Sequence, residues 1–273
     1  MKKIYVGCQG WNYKDWISPS ESEVRFYPPG VKTAQMLEFY AKVFECVEVD
    51  STFYAIPSQK VVEGWKAKTP PEFKFTLKMP RDITHEKMLD KSALPVLKEF
   101  CDIASILGEK LFAVLIQLPP QFEANKQNAL NLRYFLNHLP RPMRFAVEFR
   151  NQKWLIDWTF EELRRHNVAF CLVEGSWIPH QVMFQVAEKT QADFAYLRFM
   201  GKRDLVHFDK VVRPQDANLV VWKDKIEKLK AKEIFITFSN FYEGFAPESA
   251  NKMRHLLGQE PVEIAFDQRT LFE

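Results

Sequence analysis

The sequence predicts an α/β fold in which about eight strands, each followed by a helix, close into a TIM-like (β/α)8 barrel. Short apolar runs alternate with stretches of helical periodicity along all 273 residues. This length is close to the ~250 residues typical of such barrels. No internal repeat, low-complexity tract or linker interrupts the pattern. We therefore expect a single TIM-barrel-like domain over residues 1–273.

Each apolar run has the composition of a buried strand. The runs span residues 4–10, 46–50, 73–79, 111–118, 144–149, 168–174, 194–200 and 233–239. The fourth run is almost wholly apolar, which is typical of a strand covered on both faces. Apolar residues spaced three and four apart predict helices over 31–44, 58–67, 94–107, 129–139, 159–166, 219–231 and 247–257. A short apolar stretch at 262–266 is interpreted as an extra strand or a packed arm.

The main alternative is a doubly wound open sheet. That fold normally carries a glycine-rich phosphate loop directly after the first strand. The sequence there is Gly7-Cys8-Gln9-Gly10, which is not a G-x-G-x-x-G motif. The barrel is therefore the preferred fold.

Composition and charge narrow the classes of function. A formal net charge of +3 is too small to indicate nucleic-acid binding by itself. The four cysteines form no Cys-x-x-Cys pair, which favours buried free thiols in a reducing cytosol. The amino terminus lacks the features of a signal peptide, and no apolar run reaches the ~18 residues that a membrane span requires. We expect a cytoplasmic protein with no membrane partner.

The carboxyl ends of the predicted strands carry polar side chains, and the active sites of TIM barrels lie at these ends. Alternation along each strand places Glu48 on the same face as Asp50, and Glu148 on the same face as Arg150. The expected barrel interior contains Glu48, Asp50, Lys78, Glu148 and Arg198. Buried charges must pair, so a purely structural ion network remains an alternative to catalysis, above all for the deeper Glu48.

Several motifs occur in an order that resembles a known family. They are Gly10-Trp11-x-Tyr13-x-Asp15-Trp16, Tyr27-Pro28, Val47-Glu48-Val49-Asp50-Ser51-Thr52-Phe53-Tyr54 with Pro57, Phe75-x-x-Lys78-x-Pro80-Arg81 with Ile83-Thr84-His85, Gln117-Leu118-Pro119-Pro120, Ala146-Val147-Glu148-Phe149-Arg150 with Trp154, and Tyr242-Glu243-Gly244-x-Ala246-Pro247. The whole chain resembles the YecE-like family, also called domain of unknown function 72. The resemblance implies a TIM-barrel-like fold in a bacterial or archaeal cytosolic protein, with no established activity. That family has been compared in fold with the metal-dependent endonuclease IV barrels. Asp50 and Ser239 stand where the family usually has asparagine.

The first hypothesis is a hydrolase or lyase acting on an anionic, phosphorylated substrate. Basic side chains at the rim would hold a phosphate or carboxylate. Glu148 would be the general base, with Asp50 or Glu174 as its partner. No lysine has a clear apolar pocket for Schiff-base chemistry in the sequence pattern, although Lys78 is the one candidate. The expected substrate-binding residues are Trp11, Tyr13, Ser51, Tyr54, Lys78, Arg81, His85, Gln117, Arg150, Trp154, Arg198, Asn240 and Tyr242.

Two further hypotheses remain open. Six histidines are too few for a trinuclear zinc site of the endonuclease type, but Asp50, Glu148 and Glu174 could hold Mg²⁺ or Mn²⁺ in a phosphodiesterase. A protein without catalytic chemistry could instead stack the bases of a nucleic acid, or a planar ligand, on aromatic walls. The candidate wall residues are Trp11, Tyr13, Trp16, Phe53, Tyr54, Trp154, Trp177 and Tyr242. Packing at the rim is the alternative for each of them.

Overall fold

A computed structural model describes residues 2–189 and 192–260, and all strands within them belong to one parallel sheet. The strands are β1 (Lys3–Gln9), β2 (Cys46–Val49), β3 (Lys74–Lys78), β4 (Leu111–Gln117), β5 (Phe145–Glu148), β6 (Ala169–Phe170), β7 (Leu172–Gly175), β8 (Phe194–Gly201) and β9 (Glu233–Phe238). Their order in the sheet is β6-β5-β4-β3-β2-β1-β9-β8-β7. This arrangement confirms the predicted α/β barrel.

The predicted sixth strand is split into two short strands, and the split joins the two edges of the sheet. β6 pairs with β5, and β7 pairs with β8. Only Cys171 separates β6 from β7, and its backbone N–H donates to the carbonyl of Val147 at 2.8 Å. The strands at the two ends of the sheet order are therefore successive parts of one chain segment, and the sheet is nearly closed.

Helices follow the strands as the periodicity predicts, with ends shifted by a few residues. They are α1 (Thr33–Val43), α2 (Gln59–Ala67), α3 (Leu94–Ser105), α4 (Lys126–Asn137), α5 (Asp157–Arg165), α6 (His180–Lys189), α7 (Asp216–Lys228), α8 (Asn240–Glu243) and α9 (Ala246–Leu256). Neither α6 nor the short α8 was predicted from the sequence; the buried side chains of α6 are Met183, Val186 and Ala187. The tail expected at 262–266 lies outside the described residues.

The first two strands approach closely at Gly7. A Cβ atom at this position would lie 2.1 Å from the carbonyl oxygen of Cys46, so no larger side chain fits. The hydroxyl of Tyr40 accepts from the backbone N–H of Cys8 at 2.7 Å and donates to the carbonyl of Cys46 at 2.9 Å. These contacts set how β1 lies against β2, and they bring Glu48 beside Gln9 in the paired strands.

Alternation along the strands divides the buried residues into two layers. Outward-facing residues pack against the helices in the larger cluster. A smaller cluster fills the barrel interior and contains Tyr5, Cys46, Phe112, Ala113, Leu115, Ala146, Ala169, Cys171, Val173, Phe194, Tyr196 and Phe235. At the amino end, Arg144 pairs with Glu233 at 2.6 Å and lies over the rings of Phe112 and Phe194. The interior is therefore apolar in its lower part, and its buried charges lie near the carboxyl ends of the strands.

The structure bears on the predicted state of the cysteines and on the membrane-spanning segments. All four cysteines are buried and unbridged, as predicted. Within residues 2–189 and 192–260, no helix combines the length and apolar character needed to cross a membrane.

Candidate functional site

Buried charges inside the barrel form one ion network. Arg198 on β8 donates to both carboxylate oxygens of Glu48 on β2, through Nε at 2.8 Å and Nη2 at 2.6 Å. Its remaining Nη1 donates to Glu148 Oε2 on β5. The three side chains are at most 2% exposed. These contacts form the structural ion network that the sequence left open as an alternative to catalysis.

Hydroxyl groups complete the environment of Glu48. Tyr196 and Thr237 both donate to Glu48 Oε2, the latter at 3.2 Å. The Tyr196 hydroxyl also lies 2.7 Å from Thr76 Oγ1. The Glu48 carboxylate thus accepts hydrogen bonds from three different side chains in a buried site, which favours a structural role for it.

The carboxylate of Glu148 is held between two arginines. Arg150 Nε donates to Glu148 Oε1 at 2.8 Å, opposite the bond from Arg198. Burial alone would raise the pKa of Glu148, but the charges of Arg198 and Arg150 outweigh it and lower this pKa to about 2. A carboxylate with such a low pKa is a weak base at neutral pH. This geometry does not support Glu148 as the predicted general base.

Arg150 combines a structural contact with terminal nitrogens that lack a hydrogen-bond partner. Its guanidinium lies 5.6 Å from the ring of Trp177, which is half exposed in the loop after β7. Its terminal Nη groups have no hydrogen-bond partner among residues 2–189 and 192–260, although Nε is bonded to Glu148. A guanidinium in this state can donate two further hydrogen bonds to an anion.

Lys78 ends β3 above the ion network. Its Nζ lies 3.7 Å from the centroid of the Phe53 ring and makes neither a hydrogen bond nor an ion pair with the described residues. Burial, reinforced by the charge of Arg198, lowers the pKa of Lys78 to about 7. Thr52 Oγ1 donates to the Lys78 carbonyl at 2.6 Å and fixes the backbone there. The amine is thus buried, uncommitted and neutral in a sizeable fraction of molecules near pH 7.

Asp50 and His85 lie beside Lys78, and we call these three residues the rim group. Burial and the charge of Glu48 raise the pKa of Asp50, and the charge of Lys78 partly opposes them. Burial, then the charges of Lys78 and Arg150, lower the pKa of His85 to about 4, so its imidazole is neutral at pH 7. Nδ1 of His85 lies 2.9 Å from Thr84 Oγ1.

Gln117 at the end of β4 orients His85. Its Nε2 lies 3.4 Å from His85 Nε2, and an amide NH2 can only donate, so this imidazole nitrogen is the acceptor. The proton of the neutral ring is then on Nδ1, which points to Thr84. Seven of the predicted site residues therefore gather at one place. They are Asp50, Lys78, His85, Gln117, Glu148, Arg150 and Arg198.

A family model described as "Protein of unknown function DUF72" matches residues 5–270 of the chain. The chain belongs to this DUF72 family. The resemblance predicted from the ordered motifs is thus confirmed, and the family description gives no specific activity.

Two named relatives are UPF0759 proteins, and their names also give no specific activity. The chain is 28% identical over 306 aligned positions to the UPF0759 protein YunF of Bacillus subtilis, with 98% of this chain and 100% of that protein covered. It is 30% identical over 151 positions to the UPF0759 protein YecE of Escherichia coli K12, covering 55% of this chain and 50% of that protein. The chain therefore spans about half the length of YecE in this alignment.

Solved DUF72 structures share the fold. A crystal structure of a DUF72 family protein from Thermotoga maritima superimposes with a TM-score of 0.77 at 27% identity, covering 94% of this chain and all of the other. A DUF72 protein from Enterococcus faecalis superimposes with a TM-score of 0.74 at 20% identity, over 94% and 96% of the two chains. The second likeness establishes the fold alone.

Glu174, a predicted catalytic residue, is directed away from the ion network of this DUF72 barrel. Along β7, Val173 belongs to the interior cluster, so Glu174 faces the helices with Leu172. Its Oε2 accepts from Trp222 Nε1 on α7 at 2.7 Å, and its Oε1 lies 3.7 Å from His180 Nδ1 on α6. The structure does not bring this carboxylate to the site where Glu148 lies.

The predicted Mg²⁺ or Mn²⁺ ligands consequently do not converge. In the described part of the chain, no three His, Cys, Asp or Glu side chains are close enough together to hold a metal ion. Glu148 is occupied by Arg198 and Arg150, and Glu174 lies on the outer face. The donor set of Asp50, Glu148 and Glu174 therefore does not fit a divalent cation.

Several predicted binding residues are packing residues instead. Trp154 is buried, stacks on Phe122 with centroids 5.3 Å apart and donates from Nε1 to the Phe122 carbonyl at 2.6 Å. Tyr242 is buried against Phe199, and its hydroxyl accepts from Asn218 at 3.2 Å. These two rings cannot serve as the walls of a stacking surface.

The loop after β1 packs in the same way. Asn240 Oδ1 accepts from Trp16 Nε1 at 3.1 Å, and the amide is buried. The ring of Tyr13 packs on Trp16, and its hydroxyl donates to the Gln9 carbonyl at 3.1 Å. Trp11 packs edge-on against Trp65. These contacts hold the loop, so the aromatic side chains here contribute mainly to packing.

Three predicted binding residues lie at the outer rim and are exposed. Tyr54 is 76% exposed, Ser51 is exposed, and Arg81 is 3.7 Å from Glu86 in an exposed ion pair. A ligand above the rim group could contact them, and their binding roles stay predictions. Tyr196 and Thr237, which bind Glu48, were not among the predicted site residues. Alternation would have found Thr237, because it shares a face with Ser239 on its strand.

Proposed function

We propose that the chain is an enzyme, a hydrolase or lyase, that acts on a small anionic substrate at the carboxyl end of the barrel. The observation that supports it is a division among the buried charges. Glu48 and Glu148 are both bonded to Arg198, whereas the amine of Lys78 and the terminal guanidinium nitrogens of Arg150 have no hydrogen-bond or ion-pair partner in the described chain. Groups held in a fixed scaffold but left unpaired are suited to a ligand.

Arg150 is the proposed anion-binding residue. Glu148 holds its Nε, so the plane of the guanidinium is fixed before a ligand arrives. The ring of Trp177 lies over the same group and restricts its motion. A phosphate or carboxylate can then accept two hydrogen bonds from the terminal nitrogens without ordering a flexible side chain.

The acid–base role is assigned to the rim group instead of Glu148. Lys78, with a pKa of about 7, can give up and regain a proton at neutral pH, which the carboxylate of Glu148 cannot do. Asp50, whose pKa is raised by burial, is the proposed partner in proton transfer. Glu148 then serves to position Arg150 and Arg198.

Inorganic phosphate is the first test of this proposal. We expect isothermal titration calorimetry at low ionic strength to detect phosphate binding, and Arg150→Gln to weaken it by at least about tenfold, the equivalent of one lost charged hydrogen bond. Arg165→Gln is the control, because Arg165 is an exposed arginine that also pairs with glutamates. Equal phosphate affinity in Arg150→Gln and the unsubstituted chain would contradict the proposed anion site.

Turnover is the second test. Incubation with a pool of phosphate esters and phosphorylated carbonyl compounds, followed by nuclear magnetic resonance, should show a product that is lost with Lys78→Met. We also propose the cytoplasm as the site of action, since four buried free thiols suit a reducing compartment.

A further inference from the structure

We propose that Lys78 is a Schiff-base nucleophile, and that the substrate is a small anionic aldehyde or ketone whose carbonyl carbon becomes bonded to Lys78 Nζ. This inference rests on the proposed function for the anion-binding part, and it adds the substrate class and the covalent step. It is argued from the surroundings of the amine, from a second buried lysine, and from the groups that could move the protons.

The surroundings of Lys78 leave its amine available. Glu148 and Glu48, two carboxylates whose charges act on Lys78, are both bonded to arginine. The Phe53 ring covers one side of the amine at 3.7 Å. An amine that must act as a nucleophile has to be neutral, and burial, together with the charges of Arg198 and Arg150, favours the neutral form of Lys78 over the opposing effect of the two glutamates.

Lys110 shows that burial alone does not create such a site in this fold. Its side chain is also buried, immediately before β4. Its Nζ donates to the carbonyls of Lys66 at 2.7 Å and Thr69 at 2.6 Å, and to Thr69 Oγ1 at 3.1 Å. All three N–H groups of the Lys110 ammonium therefore have acceptors. These bonds favour the protonated form, which has no lone pair for a reaction. Lys110 therefore has hydrogen-bond acceptors in the described chain, whereas Lys78 has none.

The covalent step balances without any further reagent. The lone pair of neutral Lys78 forms a C–N bond as the carbonyl π pair moves to oxygen, and the carbinolamine results after proton transfer from nitrogen to oxygen. A second proton on that oxygen lets the C–O bond break, and water leaves as the C=N bond forms. Asp50, the carboxyl group of the rim group, would carry the protons. Addition of water reverses the sequence and frees the amine.

An anionic substituent on the substrate follows from Arg150. Arg150 is bonded to Glu148, and the charge of Glu148 also acts on Lys78, so the two cations are arranged around one carboxylate. The terminal nitrogens of Arg150 would hold a carboxylate or phosphate on the same molecule whose carbonyl reaches Nζ. A cationic imine would then lie close to Glu148, which is ionised at all physiological pH values.

Borohydride trapping tests the inference on the full chain. The protein is treated with sodium borohydride in the presence of pyruvate, an anionic ketone, or acetone, a neutral one, and the modified lysine is located by peptide mass spectrometry. We expect the reduced pyruvate adduct on Lys78, at least about tenfold more of it than on Lys110 or on the exposed Lys98. Acetone should label Lys78 less, and Arg150→Gln should remove that preference for pyruvate.

The outcomes separate this inference from the proposed function. An adduct on Lys78 that is absent from Lys78→Met, with the other lysines labelled as before, supports it. Labelling that follows only the exposure of each lysine, or no labelling of Lys78 by either ketone, overturns it. If phosphate still binds through Arg150 in that case, the anion site stands and only the Schiff base is rejected. If phosphate binding is also independent of Arg150, the proposed function is rejected too.

Discussion

The two ends of the barrel use buried charge differently. At the amino end, Lys110 donates to three oxygens, and Arg144 is paired with Glu233 and covers two aromatic rings. At the carboxyl end, Lys78 has no hydrogen-bond acceptor in the described chain, and Arg150 uses only its Nε. Both ends are built from the same strands, so the difference lies in the partners that surround each group.

The paired charges at the amino end contribute to stability, whereas the unpaired amine at the carboxyl end is suited to binding a ligand. Pairing Lys110 and Arg144 at the amino end stabilises the fold, because a buried polar group without a partner costs about 1–3 kcal/mol. Leaving an amine without a partner at the carboxyl end costs stability, and such a cost is typical of groups kept ready for a ligand. Substitution of Lys78 and substitution of Lys110 should therefore change the free energy of unfolding in opposite directions.

The largest effect is expected beneath the carboxyl end, at Arg198. Arg198→Met would leave Glu48 and Glu148 buried without their main cation, because both carboxylates bind this guanidinium. We expect the free energy of unfolding to fall by about 3–5 kcal/mol, as measured by urea denaturation. A loss below about 1 kcal/mol would show that the network is not the scaffold of the site. Glu48→Gln combined with Arg198→Met should recover part of the loss.

Lys78→Met should raise the free energy of unfolding, in contrast to Arg198→Met. The pKa of Lys78 in the folded chain, about 7, lies below the ordinary value of 10.5, so the unfolded chain binds more protons between these pH values. The stability of the unsubstituted chain therefore rises with pH through this window, and the cost of the buried amine is complete below about pH 7. We expect Lys78→Met to stabilise the fold by on the order of 2–3 kcal/mol at neutral pH.

Urea denaturation at several pH values measures this gain. It should be full at and below about pH 7 and shrink towards zero as the pH approaches 10.5. A gain that stays constant with pH would mean that the amine titrates normally in the folded chain. A loss at every pH would mean that Lys78 has a structural partner.

Lys110→Met is the matched substitution at the amino end. It removes the donor for the Thr69 carbonyl, the Lys66 carbonyl and Thr69 Oγ1. We expect a loss of about 1–2 kcal/mol in the free energy of unfolding, since these acceptors can recover only part of their hydrogen bonding from water. If Lys110→Met and Lys78→Met shift stability in the same direction, the contrast between the two ends is wrong.

The sequence predicted the fold and the inner charges more securely than the outer site. Strand alternation places Glu48, Glu148 and Arg198 inside the barrel, and buried charges of opposite sign must meet there. Glu174 was selected for its position at a strand end, although alternation along β7 puts it on the outer face. Applying the same alternation to that strand would have removed it.

Other features depend on distant partners that the sequence does not reveal. Trp154 is a packing residue because Phe122, from another loop, accepts its indole proton. Glu148 loses its basicity because Arg198 and Arg150 approach it from two different strand ends. The strength of a base depends on these separations, which composition and spacing leave undetermined.

The smallest effect is expected at Arg144. This substitution tests whether the exposure of an ion pair determines its contribution to the free energy of unfolding. Arg144 and Glu233 are about a third exposed, whereas Arg198 and its partners are almost fully buried. Arg144→Met keeps an apolar stem over Phe112 and Phe194 and removes only the charge. We expect a loss of at most about 1 kcal/mol in the free energy of unfolding. Because solvent reaches this pair, raising the salt concentration should reduce the loss, whereas the loss in Arg198→Met should be nearly independent of salt. An equal salt dependence of the loss at Arg144 and at Arg198 would mean that water enters the carboxyl end as freely as the amino end. The rim group would then lack the apolar surroundings that keep the amine of Lys78 neutral.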